Sequence, residues 1–171
     1  MIRAVLAALA LLSLAACWQV DADVVPADAV TRPEGVKDGV YRRADGTELA
    51  VRWNEAERAF DIGGSAVGKA RVAKAGANLY LVQFTGNMRL ALLAARDGDD
   101  LALLSPAPAA QARLATRHGV SLRPGPIDQL VGSPAAVRAY LTEASTLPAA
   151  ELTRSGKLAW SGPVPANPDR H

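Results

Sequence analysis

The stretch "NLYLVQFTGNMRLALLA", residues 78–94, decides the fold. Its two runs, NLYLVQF and MRLALLA, are apolar on both faces, which places them in the middle of a sheet. Between them stands Gly86–Asn87. Both residues tolerate positive φ, so the pair reads as a tight hairpin loop.

The pattern continues outward in both directions. Upstream, "TELAVRW" puts Leu49, Val51 and Trp53 on one face and Glu48, Ala50 and Arg52 on the other. That period of two marks a half-buried strand. "RAFDI" extends the pattern with Phe60 and Ile62. Asp45–Gly46, Gly63–Gly64 and Asp97–Gly98 add turn signals, and strands recur about every ten residues between residues 38 and 105. The expectation is an antiparallel meander of about seven strands. Such a sheet has to bury a face or close, so it curls, becomes a partly closed barrel, or is covered by helices.

After residue 105 the period changes. "PAPAAQARLATRHG" predicts a helix over residues 107–118, stopped by Gly119. "SPAAVRAYLTEAS" predicts a second, with Ser133 as N-cap and Pro134 in the first helical position. Val137, Tyr140, Leu141 and Ala144 form its apolar stripe. That stripe reads first as packing against the sheet and second as a docking face for a partner helix. "PAAELTRSG" is a candidate for a third, short helix, and residues 160–171 read as a tail frayed beyond Trp160. The fold class is therefore α+β, a meander followed by two or three C-terminal helices.

Composition narrows the function classes. The chain has 171 residues, half of them hydrophobic, enough for one domain with a core. A net charge of +2, from 19 basic and 17 acidic residues, is too small for a nucleic-acid footprint. The single cysteine, Cys17, leaves no intrachain disulfide.

The N-terminus gives the strongest signal. Arg3 precedes an apolar run, residues 4–14, that is shorter than the about 20 residues of a membrane-spanning helix. It has the length of a secretory h-region and ends in Leu14–Ala15–Ala16–Cys17. These four residues resemble the lipobox of bacterial lipoproteins. The resemblance covers residues 1–17 and implies cleavage before Cys17, diacylglycerol on its thiol, and a further acyl chain, of the palmitate kind, on its amine. Two or three chains make a durable anchor where one does not. Trp18, in place of the Asp that retains such proteins at the inner membrane, implies an outer-membrane lipoprotein facing the periplasm. Trp18 is also a candidate for the headgroup layer, where indoles are comfortable. The expected division is a signal peptide, 1–16; a lipidated N-terminus and flexible tether, 17–36; a β-rich domain with its helices, 37–159; and the tail, 160–171. The tether has the alternative of lying on the domain as an irregular strand.

Candidate chemistry is sparse. "GGSAVGKA", residues 63–70, offers Gly63, Gly68 and Lys69 at phosphate-loop spacing. Ala70 stands where the magnesium-binding hydroxyl belongs, and no room follows for a helix. It reads better as a Gly-Gly turn into a strand, with Gly68 under close approach. Ser65 lacks the glycine of a nucleophile elbow. His118 sits where the dipole at a helix C-terminus favours it, and His171 is terminal, so neither a triad nor a zinc site is expected. "RDGDD", residues 96–100, has too few oxygens for calcium and reads as a hairpin turn. A carboxylate pair of the hydrolase type depends on separation in space, which a sequence does not give. Arg113, Arg117 and Arg123 fall in an acid-free stretch and read as a solvated face or as a contact for lipid phosphate, cell-wall carboxylate or an acidic partner. No cofactor, metal or nucleotide is expected. The expected role is non-catalytic: a membrane-anchored domain that binds an envelope protein or cell-wall component. The alternatives are a carrier holding a small apolar ligand inside the curled sheet and a cell-envelope hydrolase.

Overall fold

The computed structural model describes residues 17–165. Residues 1–16, expected as a signal peptide, and residues 166–171, with His171, lie outside the described residues.

The meander expected from the turn signals is present. Strands β2 (Gly39–Arg43), β3 (Glu48–Asn54), β4 (Ala59–Gly64), β5 (Gly68–Lys74), β6 (Leu79–Thr85), β7 (Arg89–Asp97) and β8 (Asp100–Pro106) each pair antiparallel with the next. The long strand β11 (Leu152–Gly162) then enters between β8 and β2 and closes the ring. The sheet is thus a closed barrel of eight strands rather than a partly closed one of seven.

The eighth strand arises where a helix and a fraying tail were expected. Only Ala149–Glu151 forms a turn of 3₁₀-helix, and Trp160 belongs to β11. Register shifts at Arg154/Gly156 and at Trp160/Gly162 interrupt the strand. A bulge adds a residue to one side of a pair and destroys the period of two by which a strand is recognised.

Two α-helices are present among the described residues, and both precede the last strand. α1 (Pro108–His118) ends at Gly119, whose φ of 63° is the left-handed cap that glycine adopts without strain. α2 (Pro134–Ala144) begins at Ser133, whose Oγ accepts the Ala136 amide at 3.2 Å. Between them lie β9 (Ser121–Arg123) and β10 (Asp128–Val131).

The segment expected as a tether or irregular strand lies on the barrel. β1 (Cys17–Gln19) runs antiparallel to β7 and parallel to β10. Trp18 is buried, edge-on to Tyr140 at 6.2 Å, and so is far from any headgroup role. Val20, Val24, Val25 and Val30 follow it into the core. The Val24 and Val25 amides donate to Oε1 of the buried Gln83 at 2.7 and 3.0 Å. A buried amide with such partners fixes the path of the strap.

The two apolar faces of β6 and β7 now have a reason. Leu81, Ala91 and Leu93 face outward beneath Trp18, Leu114, Tyr140 and Leu141. Tyr80, Val82, Leu92 and Ala94 face the barrel interior.

Candidate functional site: an apolar lumen open at one end

The barrel interior is hollow. A cavity of about 240 Å³ runs through it, walled by side chains such as Val51, Phe60, Val72, Val82, Leu92 and Leu103. Alternation supplies this wall, because every second residue of each strand points inward. Small residues leave the space: Ala66, Ala70 and Ala94 stand on the inner side where larger side chains would fill it.

One end of the lumen is closed. The chain at Pro33 and Val36 crosses it before entering β2, and both residues are buried. Tyr41 Oη donates to the Lys37 carbonyl at 2.9 Å and ties that crossing to the barrel. At the other end lie the hairpins 44–47, 65–67 and 86–88. There Leu49, Ile62, Ala66, Phe84 and Leu90 are half-buried, which marks the mouth.

Two chemically distinct residues stand at this mouth. Cys17 pairs with Leu92 across β1 and β7, so its thiol shares the inward face. Burial pushes the thiol up to about 11, against the opposing pull of Arg43. It is neutral at physiological pH and therefore a poor nucleophile. Arg43, also in the wall, pairs with Asp45 at 3.3 Å.

The motif GGSAVGKA is the hairpin between β4 and β5. Gly64 has the positive φ, 94°, of its turn. A Cβ on Gly68 would lie 2.8 Å from the Phe84 ring and against the Thr85 carbonyl, so this glycine is set by close approach. Lys69 pairs with Glu57 and Asp61 on the outside of the barrel.

The remaining candidates are spread over the surface or the core. Arg113 pairs with Glu151, and Arg117 with Glu143. The stretch that lacks acids in sequence is thus neutralised by acids from later in the chain. His118 Nε2 meets the other oxygen of Glu143 at 2.7 Å, clasping α1 to α2. Arg123 donates to Gln129 at 3.4 Å. Val137, Tyr140, Leu141 and Ala144 are buried in the outer core, which leaves the stripe no exposed surface. The acids of RDGDD form the β7–β8 hairpin and go separate ways: Asp97 to Arg154 at 2.9 Å, Asp99 to Lys37 at 2.8 Å, Asp100 to Lys157 at 2.6 Å. Lys157 and the Trp160 amide hold Asp100 below the usual carboxylate range. Among the described residues no group of three or more His, Cys, Asp or Glu gathers as a metal site.

Sequence reasoning raised a ligand inside the curled sheet only as an alternative, and singled out neither the residues that line the cavity nor Arg43 or Gln83. The inward residues were visible as strand faces, but whether a ring of them leaves a hole depends on closure. In comparisons with known proteins, the chain matches no family model, no curated protein and no solved structure.

Proposed function

We propose that this chain is a lipid-anchored lipoprotein of the bacterial envelope, at the outer membrane facing the periplasm, whose barrel carries a small apolar ligand. The observation that supports the carrier reading is the apolar lumen of about 240 Å³. An apolar cavity of about 150 Å³ already takes up benzene, and sites for drug-sized ligands start near about 300 Å³. The space suits a slender molecule such as one hydrocarbon chain. The anchor reading rests on the lipobox pattern that ends at Cys17. Docking through Arg113 and Arg117 or through Val137, Tyr140 and Leu141 has less support, because the cations are paired and the stripe is buried.

Native mass spectrometry of the chain extracted from its own envelope tests the carrier. The expected result is a defined small mass beyond the covalent lipid, lost in Ala94→Phe, whose ring occupies the lumen. A bare chain refutes the carrier, and a second polypeptide returns attention to docking. The anchor is tested by labelled palmitate: Cys17→Ala abolishes incorporation, and persistent labelling of the variant sinks that reading.

A further inference from the structure

The mouth of the lumen differs from the closed end in what its rim exposes. Among the described residues the exposed large hydrophobics are Val67, 76 % exposed, and Met88, 38 % exposed. Both sit on mouth hairpins, 65–67 and 86–88, and these hairpins touch: a Cβ on Gly86 would lie 2.6 Å from the Val67 carbonyl. The third mouth hairpin, 44–47, exposes Asp45, while the turns of the closed end present Glu55, Glu57, Arg58 and Asp99 and neither of the exposed large hydrophobics. Exposed apolar side chains gathered at one place mark an interaction site more often than scattered ones do.

Cys17 lies on the same rim. β1 is bonded to β7 and β10, and Trp18 is buried at 1 % exposure, so there is no slack between Cys17 and the barrel. The chains of a diacylglyceryl group on that sulfur reach a bilayer only by leaving through the mouth. With its acyl chains in a bilayer, the rim is drawn to the membrane surface. Arg43, in the wall beside Cys17, then stands at headgroup depth, where guanidinium meets anionic oxygens.

We infer that the mouth rim lies on the lipid bilayer, with Val67 and Met88 among the acyl chains, and that the lumen takes up one acyl chain of a lipid from that bilayer. The inference rests on the lumen and the anchor as read above. It adds the orientation, the route and the ligand class. An acyl chain moving from bilayer to lumen along this path stays out of water, which avoids exposing its methylenes to solvent on the way.

The test uses the lipidated full chain in vesicles of phosphatidylethanolamine and phosphatidylglycerol. Bimane is placed at Val67→Cys, Met88→Cys or, at the closed end, Ala56→Cys; the thioether on Cys17 leaves the introduced thiol as the labelled one. Lipids with nitroxide on the acyl chain are expected to quench positions 67 and 88 and to spare 56. Equal quenching at all three, or none at 67 and 88, overturns the orientation. Native mass spectrometry of the same preparations reads the loading. If quenching holds but the lumen is empty, uptake is refuted while the orientation stands. If an extra mass is present without quenching at 67 and 88, the carrier stands and the membrane-apposed rim falls. Val67→Asp combined with Met88→Asp, at exposed sites that leave thermal unfolding unchanged, is expected to lose both quenching and the acyl-lipid mass. Retention of that mass in the double variant overturns loading through the rim.

Discussion

Strands β6 and β7 wall two apolar regions at once, and the regions differ in how they are filled. Outside the barrel, Leu81, Ala91 and Leu93 meet a second layer that supplies Trp18, Leu114, Tyr140 and Leu141. Inside, Val82, Leu92 and Ala94 face mainly the other staves, with Cys17, Pro33 and Val36 at the ends, and about 240 Å³ stays open. Protein interiors ordinarily pack like organic crystals. Eight staves set a circumference that their own side chains fill when large, or that holds a small ligand when some are small. Burial from water is common to both regions. What separates them is whether another element brings side chains to the space.

If the outer layer is the packed core, its largest residue carries the greatest weight. Trp18→Ala is expected to destabilise the fold by about 3–5 kcal/mol, the range for deleting a buried aromatic ring. Urea unfolding gives the value directly. An unchanged midpoint would break the comparison, because the strap would then be an accessory to a barrel standing alone.

A sharper test places one substitution on each face of β7. Ala91 pairs with Gln83 and Trp18 on the outside, and Ala94 pairs with Tyr80 and Leu103 on the inside. Both are buried. Ala91→Phe has no space to enter and is expected to cost about 1–3 kcal/mol through overpacking. Ala94→Phe enters the lumen and is expected to change stability by less than about 1 kcal/mol while displacing the proposed ligand. Equal costs at the two positions would mean that the lumen is not a usable space.

An intermediate contrast concerns the thiol. In protein made without lipid, Cys17 is held near 11 against an ordinary value of 9.0. The folded chain then carries about a hundredfold less thiolate than an exposed cysteine at pH 8, and alkylation by iodoacetamide slows accordingly. The rate is expected to climb as pH rises toward 11. If Cys17 carries the proposed lipid, its thioether does not titrate, and no alkylation is expected at any pH. Rapid alkylation of unlipidated folded protein at pH 8 would put Cys17 outside the wall of the lumen.

Much of the barrel was legible because its signals are local. The β2–β8 meander follows from turn pairs such as Asp45–Gly46 and Asp97–Gly98, and the two helices from Ser133, Pro134 and Gly119. The close approach at Gly68 was legible too, since a glycine inside a strand needs a neighbour to explain it. The eighth strand was not, because bulges at Arg154/Gly156 and Trp160/Gly162 break its alternation. The small strands β9 and β10 were missed as well; they are short and exist by pairing with each other and with β1. The lumen was beyond sequence for another reason. NLYLVQF and MRLALLA announce two buried faces, but only ring closure, and what lies opposite Ala94 and Ala70, decides that one face encloses a hole. For Arg113 and Arg117 the sequence offered an acid-free stretch, and the fold brought Glu151 and Glu143 to them from far along the chain.

The smallest expected effect reverses sign between the two regions. Tyr41 and Tyr140 are both fully buried, one facing into the barrel and one in the outer core. Tyr41 Oη donates to the Lys37 carbonyl, whereas among the described residues Tyr140 Oη has no hydrogen-bond partner. Tyr41→Phe therefore gives up a bond and is expected to cost about 1 kcal/mol, while Tyr140→Phe removes an unsatisfied hydroxyl and is expected to gain about 1 kcal/mol. Alkaline pH reads the same difference another way. Burial pushes the Tyr140 phenol up to about 12 from 10.0. Between those values the unfolded chain has released the proton and the native state still holds it, so native stability falls as pH rises. Tyr140→Phe is expected to flatten this loss between about pH 10 and 12. A slope remains from Tyr41, which burial also shifts upward. If Tyr140→Phe destabilised the fold as Tyr41→Phe does, the hydroxyl would have a partner, and the outer core would be a wetter place than its packing implies.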